Sequence, residues 1–158
     1  MSGAGPSGAS LRLEIPATCE SLELVHEATV RVATTAGFAS DAAGEIAVAV
    51  GEAMTNVVVH AYRREEGHDI VVRYAADASG LRIELEHSGE YPARLPAGID
   101  LAKLVAERRR GGLGVHLMRR LMDRVAHEEV APGVGCWILE RRRREPKDAD
   151  RKGPDPSP

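Results

Sequence analysis

Residues 52–62 read Glu-Ala-Met-Thr-Asn-Val-Val-Val-His-Ala-Tyr. They close an apolar stretch in which Ile46, Val50, Ala53, Val57 and Ala61 form one stripe at helical spacing. The pattern predicts an amphipathic helix running to about Ala61, with Ser40 or Asp41 as its cap. Glu52, Asn56 and His60 fall at i, i+4 and i+8, so in an α-helix they drift slowly down one face. Ala49 and Ala53 keep the neighbouring surface small, leaving room for a ligand. An Asn amide oxygen is a hard, neutral ligand suited to Mg2+, which keeps waters and phosphates in its other positions. A Glu one turn away can orient or deprotonate a nucleophile. A plain polar stripe at a helix edge has the same spacing, so periodicity alone does not choose.

Working outward, Leu11, Leu13 and Ile15 alternate with Arg12 and Glu14 until Pro16, which predicts a short half-buried strand. Leu22, Val25, His26, Thr29, Val32 and Ala33 predict a helix over 21–36 ending at Gly37. Residues 70–76 and 81–86 read as two strands of a hairpin turning at 77–80. The stretch 89–112 holds two prolines and an Arg run and is helical at most around 99–107. Residues 113–124 predict a third helix, and 124–130 and 135–140 a second hairpin around Pro132 and Gly133. The order strand, helix, helix, hairpin, helix, hairpin predicts an α+β fold. Its form is a two-layer α/β sandwich with the helices packed on one face of a mixed, mainly antiparallel sheet.

The chain has 158 residues, 43% hydrophobic and 28% charged, which fits one ordinary globular domain. Residues 1–10 are Gly, Ser, Ala and Pro and read as a disordered leader; 144–158 combine charge with four prolines and read as a disordered tail. The folded unit is expected over 11–143. A net charge of −3 argues against direct nucleic-acid binding. Phe38, Tyr62, Tyr74, Tyr91 and Trp137 are the whole aromatic set, so the core must come from Val, Leu, Ile and Ala. No apolar run reads as a membrane span, and the first residues lack the pattern of a secretory signal, so a cytoplasmic location is expected. Cys19 and Cys136 have no metal-type spacing and read as packing residues.

A second string, Arg110-Gly-Gly-Leu-Gly-Val115, opens the third helix. Glycines let the backbone approach a ligand, and a helix N-terminus supplies unpaired N–H groups and a positive dipole end, a place for triphosphate oxygens. A flexible loop before a helix has the same composition. A third string, Glu86-His-Ser-Gly89, is a strand end where a polar side chain can meet a base edge while the Gly lets a ring approach. On its own it is merely a strand end.

Taken together, these strings resemble the anti-sigma-factor serine/threonine kinases of the GHKL superfamily, the Bergerat-fold, histidine-kinase-like ATPases. Residues 52–62 look like the family's N-box, and 111–125 (GGLGVHLMRRLMDRV) resemble its G2 box with the following helix. The ending from Gly135 (GCWILE) resembles its last strand. The resemblance covers about 11–143. It implies ATP with Mg2+, and a lid over about 90–110. It also implies two partners, a sigma factor of RNA polymerase and a STAS-domain anti-anti-sigma protein phosphorylated on serine or threonine, with a homodimer common among members. By position Glu52 would be the general base and Asn56 the magnesium ligand. Gly111, Gly112, Leu113 and Gly114 would lie under the phosphates, with His60, His87, Gly89 and Cys136 completing the nucleotide site.

Two positions depart from the family pattern. Where the family has Asp two residues before Gly, accepting a hydrogen bond from the adenine amino group, this chain has His87. Where a Thr usually follows the last-strand Gly and supports that Asp, it has Cys136. A neutral imidazole can accept one such bond and none once protonated, so nucleotide affinity is expected to fall near pH 6.5. The alternative reading is an anti-sigma binding module with a degenerate nucleotide site.

Overall fold

A computed structural model describes residues 8–90, 102 and 113–144. Strand β1 (Ser10–Pro16) leads into helix α1 (Cys19–Thr35) and then helix α2 (Ser40–Thr55), which continues without a break into a π-helical turn (Asn56–Ala61). The hairpin β2 (Asp69–Ala76) and β3 (Gly80–His87) follows, then helix α3 (Leu113–Leu121) and the hairpin β4 (Arg124–Ala131) and β5 (Val134–Arg142). The strands form one sheet in the order β1-β2-β3-β5-β4, every neighbouring pair antiparallel. This is the expected α+β sandwich, with its sheet wholly antiparallel rather than mixed. The first strand begins one residue earlier than expected: Ser10 is already in β1, and the Ala9 carbonyl accepts the Ala76 N–H at 2.9 Å. The expected helix over 99–107, apart from residue 102, which is helical, and most of the tail lie outside the described residues.

Helix α1 buries Ser21, Val25, Thr29 and Ala33, one residue per turn. The Thr18 hydroxyl caps it by accepting the Ser21 N–H, and Gly37 takes a φ of +89°, which a glycine adopts without penalty just past a helix end. Thr29 also joins helix to sheet, donating to the Val25 carbonyl at 2.6 Å and meeting the Tyr74 hydroxyl at 2.8 Å. Helix α2 is not capped by Ser40 or Asp41. Ala39 holds the extended cap conformation, Ser40 is already helical, and Asp41 lies in the first turn, where its charge meets the positive end of the dipole.

The core lies between the helices and one sheet face. Ile70, Val72, Ile83, Leu85, Trp137 and Leu139 meet Ile46, Val50, Ala53, Val57 and Met118 there, each wholly buried. Ser40–Ala61, 22 residues long, is apolar enough to cross a membrane by length and composition, against the sequence expectation. Half of its most apolar stretch is buried within the fold, as the central helix of a core requires. The other sheet face carries ion pairs, Arg73 with Glu86 at 2.8 Å and Arg82 with Glu84 at 2.7 Å among them. Both cysteines are free; Cys19 is exposed rather than a packing residue.

Candidate nucleotide site

Glu52 is half-buried on the last full turn of α2, and Asn56 one turn on is only 8% exposed. Gly114, in the first turn of α3, comes up against that acid: a Cβ placed on it would stand 2.5 Å from Glu52 Oε2. The carboxylate therefore rests at the start of a helix, where unpaired amides and the dipole favour negative charge. The amide nitrogen of Asn56 is buried with no hydrogen-bond partner among the described residues. Buried amides are almost always paired, which sets this one, within a turn of an acid, apart. Leu113 is exposed, while Gly111 and Gly112 lie outside the described residues.

Beyond Asn56 the helix changes pitch. The Tyr62 N–H donates to the Val57 carbonyl, five residues back, at 2.9 Å. In a regular α-helix His60 would sit about 40° round from Asn56; the wider π turn breaks that register. His60 is exposed while Asn56 is buried, so the expected single polar stripe ends at Asn56. The chain leaves this turn through Arg63 and Arg64, both left-handed with φ of 51° and 61°. Such conformations cost non-glycine residues about 1–2 kcal/mol each. Tyr62 anchors the exit: its hydroxyl accepts the Ser88 N–H and donates to the Asp69 carbonyl, both at 2.9 Å. Its ring stacks on His68 with centroids 4.2 Å apart. Gly89 closes the same corner, since a Cβ there would lie 2.8 Å from the Ala61 carbonyl.

His87 ends β3 pointing inward and is 2% exposed. Its Nε2 meets Nε2 of His127 on β4 at 2.9 Å. The strand between them, β5, contributes Gly135, whose missing side chain makes the contact feasible: a Cβ would stand 2.8 Å from the His87 ring and 2.9 Å from His127 Nε2. Burial, reinforced by the charge His127 would carry, pushes the His87 pKa down to about 4, and burial lowers that of His127. Both rings are neutral at pH 7 and a single N–H lies between them. The expected loss of affinity near pH 6.5 through His87 is therefore corrected, because this imidazole does not titrate there.

Cys136 does not belong with His87. It pairs with Glu86 in the β3–β5 register, so its side chain lies on the opposite face of the sheet, buried among Arg73, Arg82, Glu84 and Glu86. Burial first, then those two carboxylates, push its thiol up to about 11, so it stays protonated. The residue opposite His87 is Gly135.

An open cleft of about 680 Å³ spans this end of the fold, lined by His60, Ser88, Gly89, His127 and Gly135 among others. Its size suits a small organic ligand. Along α2 it lies roughly 12 Å from Glu52, eight residues at 1.5 Å each. His60 and Gly89 are thus brought to one site with Gly135, while Glu52, Asn56 and Gly114 form a second group at the start of α3. Sequence reasoning missed His127 and Tyr62. For His127 no clear signal stood in the sequence, since β4 lacks a clean alternation and the partner depends on strand register. No cluster of three or more His, Cys, Asp or Glu side chains among the described residues is placed to hold a metal ion; a Mg2+ held by one amide plus phosphates and waters would need none.

Comparison with known proteins identifies the family of the fold. Residues 15–138 match the family described as histidine kinase-like ATPase domain. The serine-protein kinase RsbW of Listeria monocytogenes serovar 1/2a is 32% identical over 120 residues, covering 73% of this chain and 76% of that protein. RsbW of Listeria innocua serovar 6a is 31% identical over 120 residues, with 73% and 76% covered. RsbW of Bacillus thuringiensis strain Al Hakam is 29% identical over 126 residues, covering 75% and 78%. The chain belongs to the histidine kinase-like ATPase family, in its group of anti-sigma-factor serine kinases.

Proposed function

We propose that this protein is an ATP-dependent serine/threonine kinase that acts as an anti-sigma factor in the cytoplasm, binding a sigma factor of RNA polymerase and phosphorylating a STAS-domain anti-anti-sigma partner. The observation that carries the reading is the placing of Glu52 against Gly114 at the start of α3, one turn from the buried, unpaired amide of Asn56. The phosphates would lie between α3 and Asn56, with the base in the cleft beside Gly89 and Gly135. Asn56 suits Mg2+, since turning its carboxamide would present the oxygen where the unpaired nitrogen now points. When bound, Mg2+ offsets charge on the phosphates during transfer.

Glu52 accepts the proton of the acceptor serine as that oxygen bonds to the γ-phosphorus and the bond to the β-phosphate oxygen breaks, releasing ADP. A carboxylate oxygen held against a hydroxyl can take its proton in the transfer step. The amides of α3 stabilise charge on the transferred group. The burial of His87 favours a second reading, a module that occludes a sigma factor over a degenerate nucleotide site. Transfer of γ-phosphate to a STAS protein separates the two. The kinase reading expects a phosphorylated serine or threonine; a chain that binds the sigma factor and transfers nothing would support the module.

A further inference from the structure

Resting on the nucleotide reading above and deepening it, we infer that Arg63 and Glu90 read the base, Arg63 donating to a ring nitrogen and Glu90 accepting from an exocyclic amino group, so that the site selects an amino-bearing purine. Both side chains are exposed and line the cleft, from the exit of the π turn and the end of β3. Among the described residues neither makes an ion pair or a side-chain hydrogen bond, with the other or with anything else. The remaining polar lining chooses less. His60 and Ser88 can each donate and accept. The carboxylates of β4 are engaged, Glu128 with Arg124 at 3.3 Å and Glu129 with the Gly133 N–H at 3.2 Å. A guanidinium only donates and a carboxylate only accepts, so this pair presents a fixed pattern. Adenine matches it, with an amino donor beside the N7 acceptor.

The backbone marks Arg63 independently. It and Arg64 hold left-handed φ values of 51° and 61°, which glycine takes without penalty and arginine does not. Surrounding bonds hold the turn in this form. The Arg64 N–H donates to the Val58 carbonyl at 2.8 Å and the Glu65 N–H to the Tyr62 carbonyl at 2.9 Å, while the Tyr62 hydroxyl ties the turn to Ser88 and Asp69. An exposed arginine adds little packing there. Strain held in place by its surroundings concentrates at ligand sites, where a side chain is kept for what it binds. Arg64 shares the strain without lining the cleft, so it serves as the control.

The full-length protein is titrated by calorimetry with Mg·ATP and with the Mg complex of purine riboside triphosphate, the same nucleotide without its amino group. Thermal melts of the nucleotide-free protein run beside it. The wild type should bind ATP roughly 5–30-fold more tightly, the worth of one hydrogen bond to a charged group in an open cleft. Glu90→Ala should weaken ATP alone and bring the two Kd values together. Arg63→Gly should weaken both nucleotides by a similar roughly 5–30-fold, since both keep the ring nitrogen, and yet raise the melting temperature by relieving the strain. Arg64→Gly should raise the melting temperature and leave both Kd values alone. A wild type that binds the two nucleotides equally, a Glu90 variant that still tells them apart, or an Arg63 variant that melts lower or binds unchanged overturns the inference and leaves the nucleotide site standing. Binding of neither nucleotide by the wild type brings down the nucleotide reading, and this inference with it.

Discussion

The Nε2 atoms of His87 and His127 meet at 2.9 Å across Gly135, on a strand that neither residue belongs to. Two neutral imidazoles can share one hydrogen bond this way; two imidazolium rings cannot, as each would present only donors. The contact therefore couples the corner of the sheet beside the cleft to pH.

The sign of that coupling follows from the lowered pKa. With His87 near 4 in the fold and near 6.5 when unfolded, the unfolded chain binds more protons between those values. Stability is complete above about pH 6.5, declines as pH falls toward 4, and loses on the order of 2–3 kcal/mol from this group. Urea denaturation at pH 7.5 and 5 should show the decline, and His87→Gln should reduce it. A wild type equally stable at both values would contradict the burial of a neutral ring.

Gly114→Ala places a methyl carbon 2.5 Å from Glu52 Oε2, closer than the two can stand. Alanine suits a helix better than glycine, so the fold should survive. The acid must move, and phosphate transfer should fall by roughly 10²–10⁴-fold, the usual worth of a general base. Transfer assays beside thermal melts check this; unchanged transfer would mean that Glu52 works from another position.

Cys136→Thr introduces the side chain that the family resemblance leads one to expect here, yet it does so on the sheet face away from His87. Nucleotide affinity should stay within about twofold, and stability should fall by about 1–3 kcal/mol, the cost of burying a hydroxyl without a good partner. Calorimetric titration decides between this and a tightening of binding, which would place the 136 side chain at the nucleotide.

The sheet, α1 and the two hairpins were legible because alternation and helical spacing are local, as in Leu11–Leu13–Ile15 and the Ser21, Val25, Thr29, Ala33 stripe. The grouping of Glu52 with Asn56 was legible for the same reason, one α-turn being enough. What stayed hidden depends on relations between elements. The π turn at Asn56–Ala61 follows an apolar run that reads as ordinary helix, so the divergence of His60 had no local mark. The pairing of His87 with His127 and the facing of Cys136 both follow from the register of β5 between β3 and β4, which sequence order does not specify.

The most direct test of the central claim is single-turnover transfer from Mg·ATP to a STAS partner by Glu52→Gln, with nucleotide binding followed on the same sample. Glutamine keeps the shape at the start of α3 and cannot accept the serine proton. The account predicts ATP affinity close to that of the wild type and transfer reduced by roughly 10²–10⁴-fold. Transfer at the wild-type rate, with ATP bound, would contradict it.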